Sequence, residues 1–191
     1  MSHVPDLILA AGLLANIALY KRHHRKYGTC HHSGCGQRVR YKVGPATVCF
    51  RYVKYLLYLA ALVYILFNPW APSRLEAGPG IAAIGIGTLL GASGIVLLYA
   101  SLESLGRNYA PCDKGLLPYE LVSNGPYKHL SHPMYLANIL QLAGAAFLKF
   151  GPLLVLIAAV YVSFIAVIAR EETASLERGI TSLRDESSPP R

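Results

Sequence analysis

His132, Tyr135, Glu171 and Glu172 are the residues of this chain whose types and placing could do chemistry. His132-Pro133 stands at the threshold of an apolar run from Met134 to Leu148, and Pro133 suits that place because a first helical turn needs no amide donor. A second apolar run, Leu153 to Ala169, follows the tight Lys149-Phe150-Gly151-Pro152 turn and ends in Arg170-Glu171-Glu172. Two helices so joined form an antiparallel hairpin whose open ends lie at one depth. An imidazole, a phenol and two carboxylates would then meet where lipid gives way to water. Such a set can accept a proton from a nucleophile or bind a cationic ligand. Tyr135, Asn138 and Gln141 continue at three-residue spacing into the first hairpin helix, and Tyr161 is expected to face them from the second. Polar groups at membrane depth usually face the protein interior or a cavity. Side-chain bonds that hold helices together explain Asn138 and Gln141 equally well, but packing does not ask for His132 and the glutamate pair.

The elements that position these groups follow from composition. With 191 residues, 53% of them hydrophobic, the chain is too apolar for an ordinary soluble domain and carries several runs of roughly spanning length. It reads as an all-α, polytopic membrane protein of about five transmembrane helices. Formal net charge is +8, and much of the excess lies in Lys21, Arg22, Arg25, Lys26, Arg38, Arg40 and Lys42, between the first two apolar runs. By the positive-inside rule that loop is cytoplasmic. Contact with lipid head groups accounts for it, and nucleic acid is not expected as a partner.

Val4 to Tyr20 reads as a retained first helix with its N-terminus outside, since the basic cluster follows the apolar run instead of leading it. His23 and His24 fall in the expected basic loop, residues 21–44, together with Cys30-His31-His32-Ser33-Gly34-Cys35. Thiolates and imidazoles at that density can hold zinc, but adjacent histidines do not readily converge on one tetrahedral centre, so a solvated loop with free thiols and no metal is the preferred reading. The second span, about Tyr52 to Phe67, carries Tyr52, Tyr55 and Tyr58 on one stripe, as interface anchors do. In the third, Gly80 to Leu102, Gly85-Ile86-Gly87 and Gly91 superficially match a dinucleotide fingerprint. No strand precedes them, so Gly87 to Gly91 reads instead as a small-residue face that lets another helix come close. The polar segment Ser101 to Leu130 then lies on the same side as the basic loop.

At Leu121 to Tyr135, LVSNGPYKHLSHPMY, the Asn124-Gly125-Pro126 turn runs directly into the hairpin. GPYKHLSHPMY, an apolar hairpin and then Glu171-Glu172 together resemble the superfamily of isoprenylcysteine carboxyl methyltransferases and phospholipid methyltransferases. Leu105-Gly106-Arg107-Asn108-Tyr109 is similar to an element that the superfamily carries upstream. The resemblance covers about Leu105 to Glu177. It implies an S-adenosylmethionine-dependent methyltransferase with a donor site on Leu121, Val122, Gly125, Pro126, Tyr127, His132, Pro133, Tyr135, Glu171 and Glu172, with His132 and Tyr135 nearest the chemistry. The donor would enter from the cytosol and a lipophilic acceptor from the bilayer. Prenylated cysteine carboxylates, phospholipid amines and hydrophobic thiols or acids are all possible acceptors.

The chain departs from the superfamily pattern in three places. Ser131 stands where an arginine precedes His-Pro, with Lys128 or Arg170 as the cations that could compensate. Leu176 follows the glutamate pair one residue late, and Glu177-Arg178-Gly179-Ile180 leaves the pattern early. Two rival readings follow: a nicotinamide-dependent reductase of related membrane architecture, and a catalytically degenerate scaffold or subunit of a heteromeric membrane complex. The expected organisation is a three-span region over 1–102, a methyltransferase-like core over 103–178 and a disordered polar tail over 179–191.

Overall fold

A computed structural model of the chain describes residues 4–27, 44–67, 80–109, 122–149 and 152–186. Five helices account for most of them: α1 (Val4–Tyr27), α2 (Pro45–Phe67), α3 (Ile81–Leu105), α4 (Pro133–Leu148) and α5 (Pro152–Glu186). One 3-10 turn, Gly106–Asn108, closes α3, and a second, Gly125–Lys128, precedes α4. No strand occurs among the described residues. The protein is therefore all-α. Val4–Tyr27, Ile81–Asn108 and Leu154–Ala174 are each long and apolar enough to cross a membrane, and Pro133–Leu148 is a shorter apolar helix. Large exposed apolar side chains such as Leu14, Leu56, Leu89, Val96 and Leu156 lie along four of the five helices. In an integral membrane protein that outer surface faces lipid, where exposure of leucine costs nothing.

Contacts at the helix ends fix the directions. Lys26 at the end of α1 lies 2.6 Å from Glu103 at the end of α3, so these two helices run the same way. At the opposite end Lys149, just past α4, lies 2.6 Å from Asp6 at the start of α1, so α4 runs against them. The chain thus alternates up and down, and the expected hairpin of α4 and α5 is present.

Three boundaries differ from those drawn from hydropathy. Helix α1 continues through Lys21 to Tyr27, where a loop was expected, because its last turns pack on the end of α3: Tyr27 donates to Glu103 at 3.1 Å. Within that packing His23 is buried, 4.9 Å from the Tyr27 ring and edge-on to Tyr109 at 5.1 Å. It is a core residue and not part of a solvated loop. The rest of that loop, with Cys30 to Cys35, lies outside the described residues. Helix α2 begins at Pro45, about two turns before the apolar run. Helix α5 extends to Glu186, well past the apolar run that ends at Ala169.

The tightest contact joins α3 and α4 through glycine. A Cβ on Gly144 would lie 2.6 Å from the carbonyl oxygen of Gly87 and 2.7 Å from the amide of Gly91, while one on Gly94 would lie 2.7 Å from the carbonyl oxygen of Ala137. Backbone meets backbone there, which is what small residues permit at a membrane helix crossing. Gly85 faces open space. Leu98, Leu102 and Ala137 form the buried core beside this crossing, with Tyr20, Tyr109 and Met134 packed on it. Gln141 of α4 accepts from Asn16 of α1 at 2.5 Å, so this member of the polar stripe joins helices. Tyr161 is buried against Phe50 of α2, ring centroids 5.6 Å apart.

Adding one methyl at Gly144 forces the two backbones apart, and overpacking of this kind costs about 1–3 kcal/mol. Thermal unfolding in detergent is expected to show Gly144→Ala melting below the wild type and Gly85→Ala level with it; equal melting of all three would exclude the close crossing.

Candidate active site

The crossing of α3 and α4 decides which side of α4 remains for chemistry. Pro133, Ala137, Gly144 and Leu148 are the buried residues of α4. Tyr135 stands about 200° round the helix from Pro133 and from Ala137, since successive residues turn by about 100°. It therefore points away from α3, toward α5. His132 is the N-cap residue of α4, and its carbonyl oxygen accepts from the amides of Tyr135 and Leu136 at 3.1 and 3.3 Å.

From α5, Glu172 meets this end of α4. The Tyr135 hydroxyl donates to Glu172 Oε2 at 2.7 Å, and His132 Nδ1 lies 3.6 Å from the same oxygen. The two rings stack, centroids 5.3 Å apart and 22° from parallel. Thr173 completes the cluster with its Oγ1 2.9 Å from His132 Nε2. A threonine hydroxyl has a single hydrogen, and here it goes to the Ala169 carbonyl oxygen at 2.9 Å. Thr173 Oγ1 can therefore only accept from the imidazole. Neutral His132 carries its proton on Nε2 and leaves the Nδ1 lone pair on the side of Glu172.

The ion pairs among the described residues are Lys26–Glu103, Lys149–Asp6 and the His132–Glu172 contact, so no lysine or arginine there neutralises Glu172. Lys128 and Arg170 are exposed and pair with no described carboxylate. A carboxylate about one quarter exposed, held by a phenol hydroxyl, attracts a cation from solution.

The Gly125–Lys128 turn packs on the last turn of α3. Gly125 takes φ +55°, and a Cβ there would overlap the Ser104 hydroxyl, so glycine is required on both counts. Pro126 supplies the carbonyl oxygen that accepts from the amides of His129 and Leu130 at 3.2 and 3.0 Å, and the chain then enters α4. Val122, Pro126 and Tyr127 are half-buried and Gly125 is exposed; Leu121 lies outside the described residues.

The residues singled out from sequence thus divide. His132, Tyr135 and Glu172 meet, Pro133 is buried beneath them, and Gly125 to Tyr127 form the adjoining turn. Glu171 turns the other way and bonds α2: its carboxylate accepts from Thr47 Oγ1 at 2.9 Å, the Thr47 amide at 3.2 Å and the Ala46 amide at 3.4 Å. Thr173, Thr47 and Ser104 are participants that the sequence reading missed. Thr173 alone had a signal, as the residue that follows the glutamate pair. The family model for phospholipid methyltransferase matches residues 82–179, just over half the chain, and spans His132, Tyr135 and the glutamate pair. No curated protein and no solved structure matches.

The tautomer is open to direct measurement. In protein labelled with nitrogen-15 histidine, with His132→Gln used for assignment, long-range proton–nitrogen correlations are expected to give neutral His132 as the Nε2–H form, with Thr173→Val weakening that preference. A dominant Nδ1–H form would contradict the hydrogen-bond direction.

Proposed function

We propose that this chain, which belongs to the phospholipid methyltransferase family, transfers a methyl group from S-adenosylmethionine to a lipophilic acceptor at the membrane boundary. Membership of that family makes it a membrane methyltransferase in general. The donor and the residues that hold it are our reading. The observation that carries it is Glu172, a carboxylate held by the Tyr135 hydroxyl beside His132, with no lysine or arginine partner among the described residues. S-adenosylmethionine brings an ammonium for such a carboxylate and, when bound, supplies an electrophilic methyl on a sulfonium.

The donor set fits that molecule. Glu172 would hold the ammonium by charge-assisted hydrogen bonds, which are about twice as strong as neutral ones. Tyr135 restrains the carboxylate so that little orientation is lost on binding. The flat stacked faces of His132 and Tyr135 give a cationic centre an aromatic surface, an attraction of about 0.5–2 kcal/mol. A nicotinamide dinucleotide would bring phosphates toward an unneutralised carboxylate, which favours the methyl donor over the reductase reading.

Methyl transfer is an in-line displacement, so alignment and exclusion of water contribute most of the rate. An acceptor that arrives as a carboxylate or thiolate needs no base. An amine or an acid gives up a proton, and the Nδ1 lone pair of His132 can take it, with Glu172 beside it to stabilise the imidazolium formed. Thr173 holds the ring in that orientation throughout. The cluster lies at the same end of the helices as Lys21, Arg22 and Arg25 of α1, which are exposed, and by the positive-inside rule that end faces the cytosol. A polar donor would reach the site from that side and the acceptor from the bilayer.

Calorimetric titration of the detergent-solubilised protein with S-adenosylhomocysteine is expected to show saturable binding. Glu172→Gln keeps the shape and loses the charge, which removes a bond of about 1.5–3 kcal/mol and weakens affinity about 10- to 100-fold at unchanged melting temperature. Unchanged affinity in this variant would remove Glu172 from the site, and binding of a nicotinamide dinucleotide instead would favour the reductase.

A further inference from the structure

We infer that Glu171 is a positioning residue: it caps the first turn of α2 and so fixes the rotation of α5 that presents Glu172 to His132 and Tyr135. The first intrahelical bond of α2 runs from the Val48 amide to the Gly44 carbonyl oxygen at 3.1 Å, which makes Gly44 the N-cap and Ala46 and Thr47 the second and third helical residues. Those are the amides that an N-cap side chain satisfies. Gly44 has no side chain, and Glu171 supplies the missing cap from another helix. Both of its oxygens are used, Oε1 by Ala46 and Oε2 by Thr47 through amide and hydroxyl.

The sequence around this contact is built for it. A Cβ on Gly44 would overlap the Glu171 carboxylate, so only glycine leaves room for the capping group. Thr47 is 6% exposed, and its hydroxyl is spent on Glu171. Phe50, one turn further along α2, packs on Tyr161 and Phe164 of α5 at 5.6 and 5.7 Å, which gives the two helices a second anchor. Held at both places, α5 has a defined rotation. Adjacent helical residues point about 100° apart, so while Glu171 is locked on α2, Glu172 faces α4. Glu171 thereby stays out of the donor site that the resemblance would have it share.

The consequence for donor affinity rests on the methyltransferase reading; the consequence for His132 does not. Two readouts on the full-length protein in detergent separate them: S-adenosylhomocysteine affinity by calorimetry, and the His132 ring nitrogen-15 signals in the absence of ligand. Glu171→Gln retains an acceptor oxygen for Thr47, so affinity is expected to stay within about threefold of wild type, whereas a residue holding the ammonium would lose tenfold or more on the same change. Gly44→Ala removes no polar group but displaces the capping carboxylate. It is expected to weaken binding about fivefold and to move the His132 signals toward those of Glu172→Gln, and adding Glu171→Ala to it should cause no larger loss than Glu171→Ala alone, as for two changes that break one contact. Thr47→Val, which removes the shortest of the three bonds, should move the His132 signals the same way and stands in if Gly44→Ala does not fold. Equal losses from Glu171→Gln and Glu172→Gln, or His132 signals unmoved when the cap is broken, would overturn the inference. A wild type that binds no S-adenosylhomocysteine, with His132 signals that still respond to the cap, would overturn the methyltransferase reading and leave the positioning role intact.

Discussion

The close approach of α3 and α4 is the constraint on which the site depends. In lipid there is no gain from burying leucine against leucine, so helix association rests on packing and on polar bonds. Gly87, Gly94 and Gly144 bring the two backbones together, and in doing so they fix the rotation of α4. Two polar side chains of α4 then bond other helices: Gln141 to Asn16 of α1, Tyr135 to Glu172 of α5. The same placement of α3 carries Ser104, against which the Gly125 turn closes before α4 begins. A helix crossing built on glycine thus determines where the side chains that matter can stand.

Helix α5 is oriented by a different device. Its two consecutive glutamates leave the helix about 100° apart, and here they reach different helices. One satisfies the N-terminus of α2 and the other meets α4. The pair therefore ties the final helix to both of its neighbours at one level, with a hydrogen-bonded carboxylate on each side. Glu172 has no lysine or arginine beside it among the described residues, and a donor ammonium would meet it there.

Much of this was legible in the sequence. The hairpin, the meeting of His132 and Tyr135 with Glu172, and the reading of Gly87 as part of a packing face followed from spacing and from the requirement that polar groups in lipid face inward, although a Cβ on Gly91 would meet open space. The helix ends were less legible, because hydropathy marks where lipid stops and not where hydrogen bonding stops. Lys21 to Tyr27 are polar enough to suggest a loop, yet Glu103 and the rings around His23 hold them in α1. The separate task of Glu171 had no local signal. Its partners, Gly44 and Thr47, lie more than a hundred residues earlier, and a glycine N-cap is noticeable as unsatisfied only once its helix is known to begin there. That Tyr161 packs on Phe50 of α2 had no signal either, because a lone tyrosine on an apolar helix does not reveal its neighbours.

The central claim is that this boundary cluster moves a methyl group into a lipophilic product. It is tested most directly by incubating membranes containing the protein with S-adenosylmethionine labelled in the methyl group and counting the label in an organic extract, with Glu172→Gln membranes in parallel. Label that enters the organic phase with the wild type, and falls to the level of membranes lacking the protein with the variant, is the predicted result. Label that never rises above that level, in membranes where the protein binds S-adenosylhomocysteine, would contradict methyl transfer.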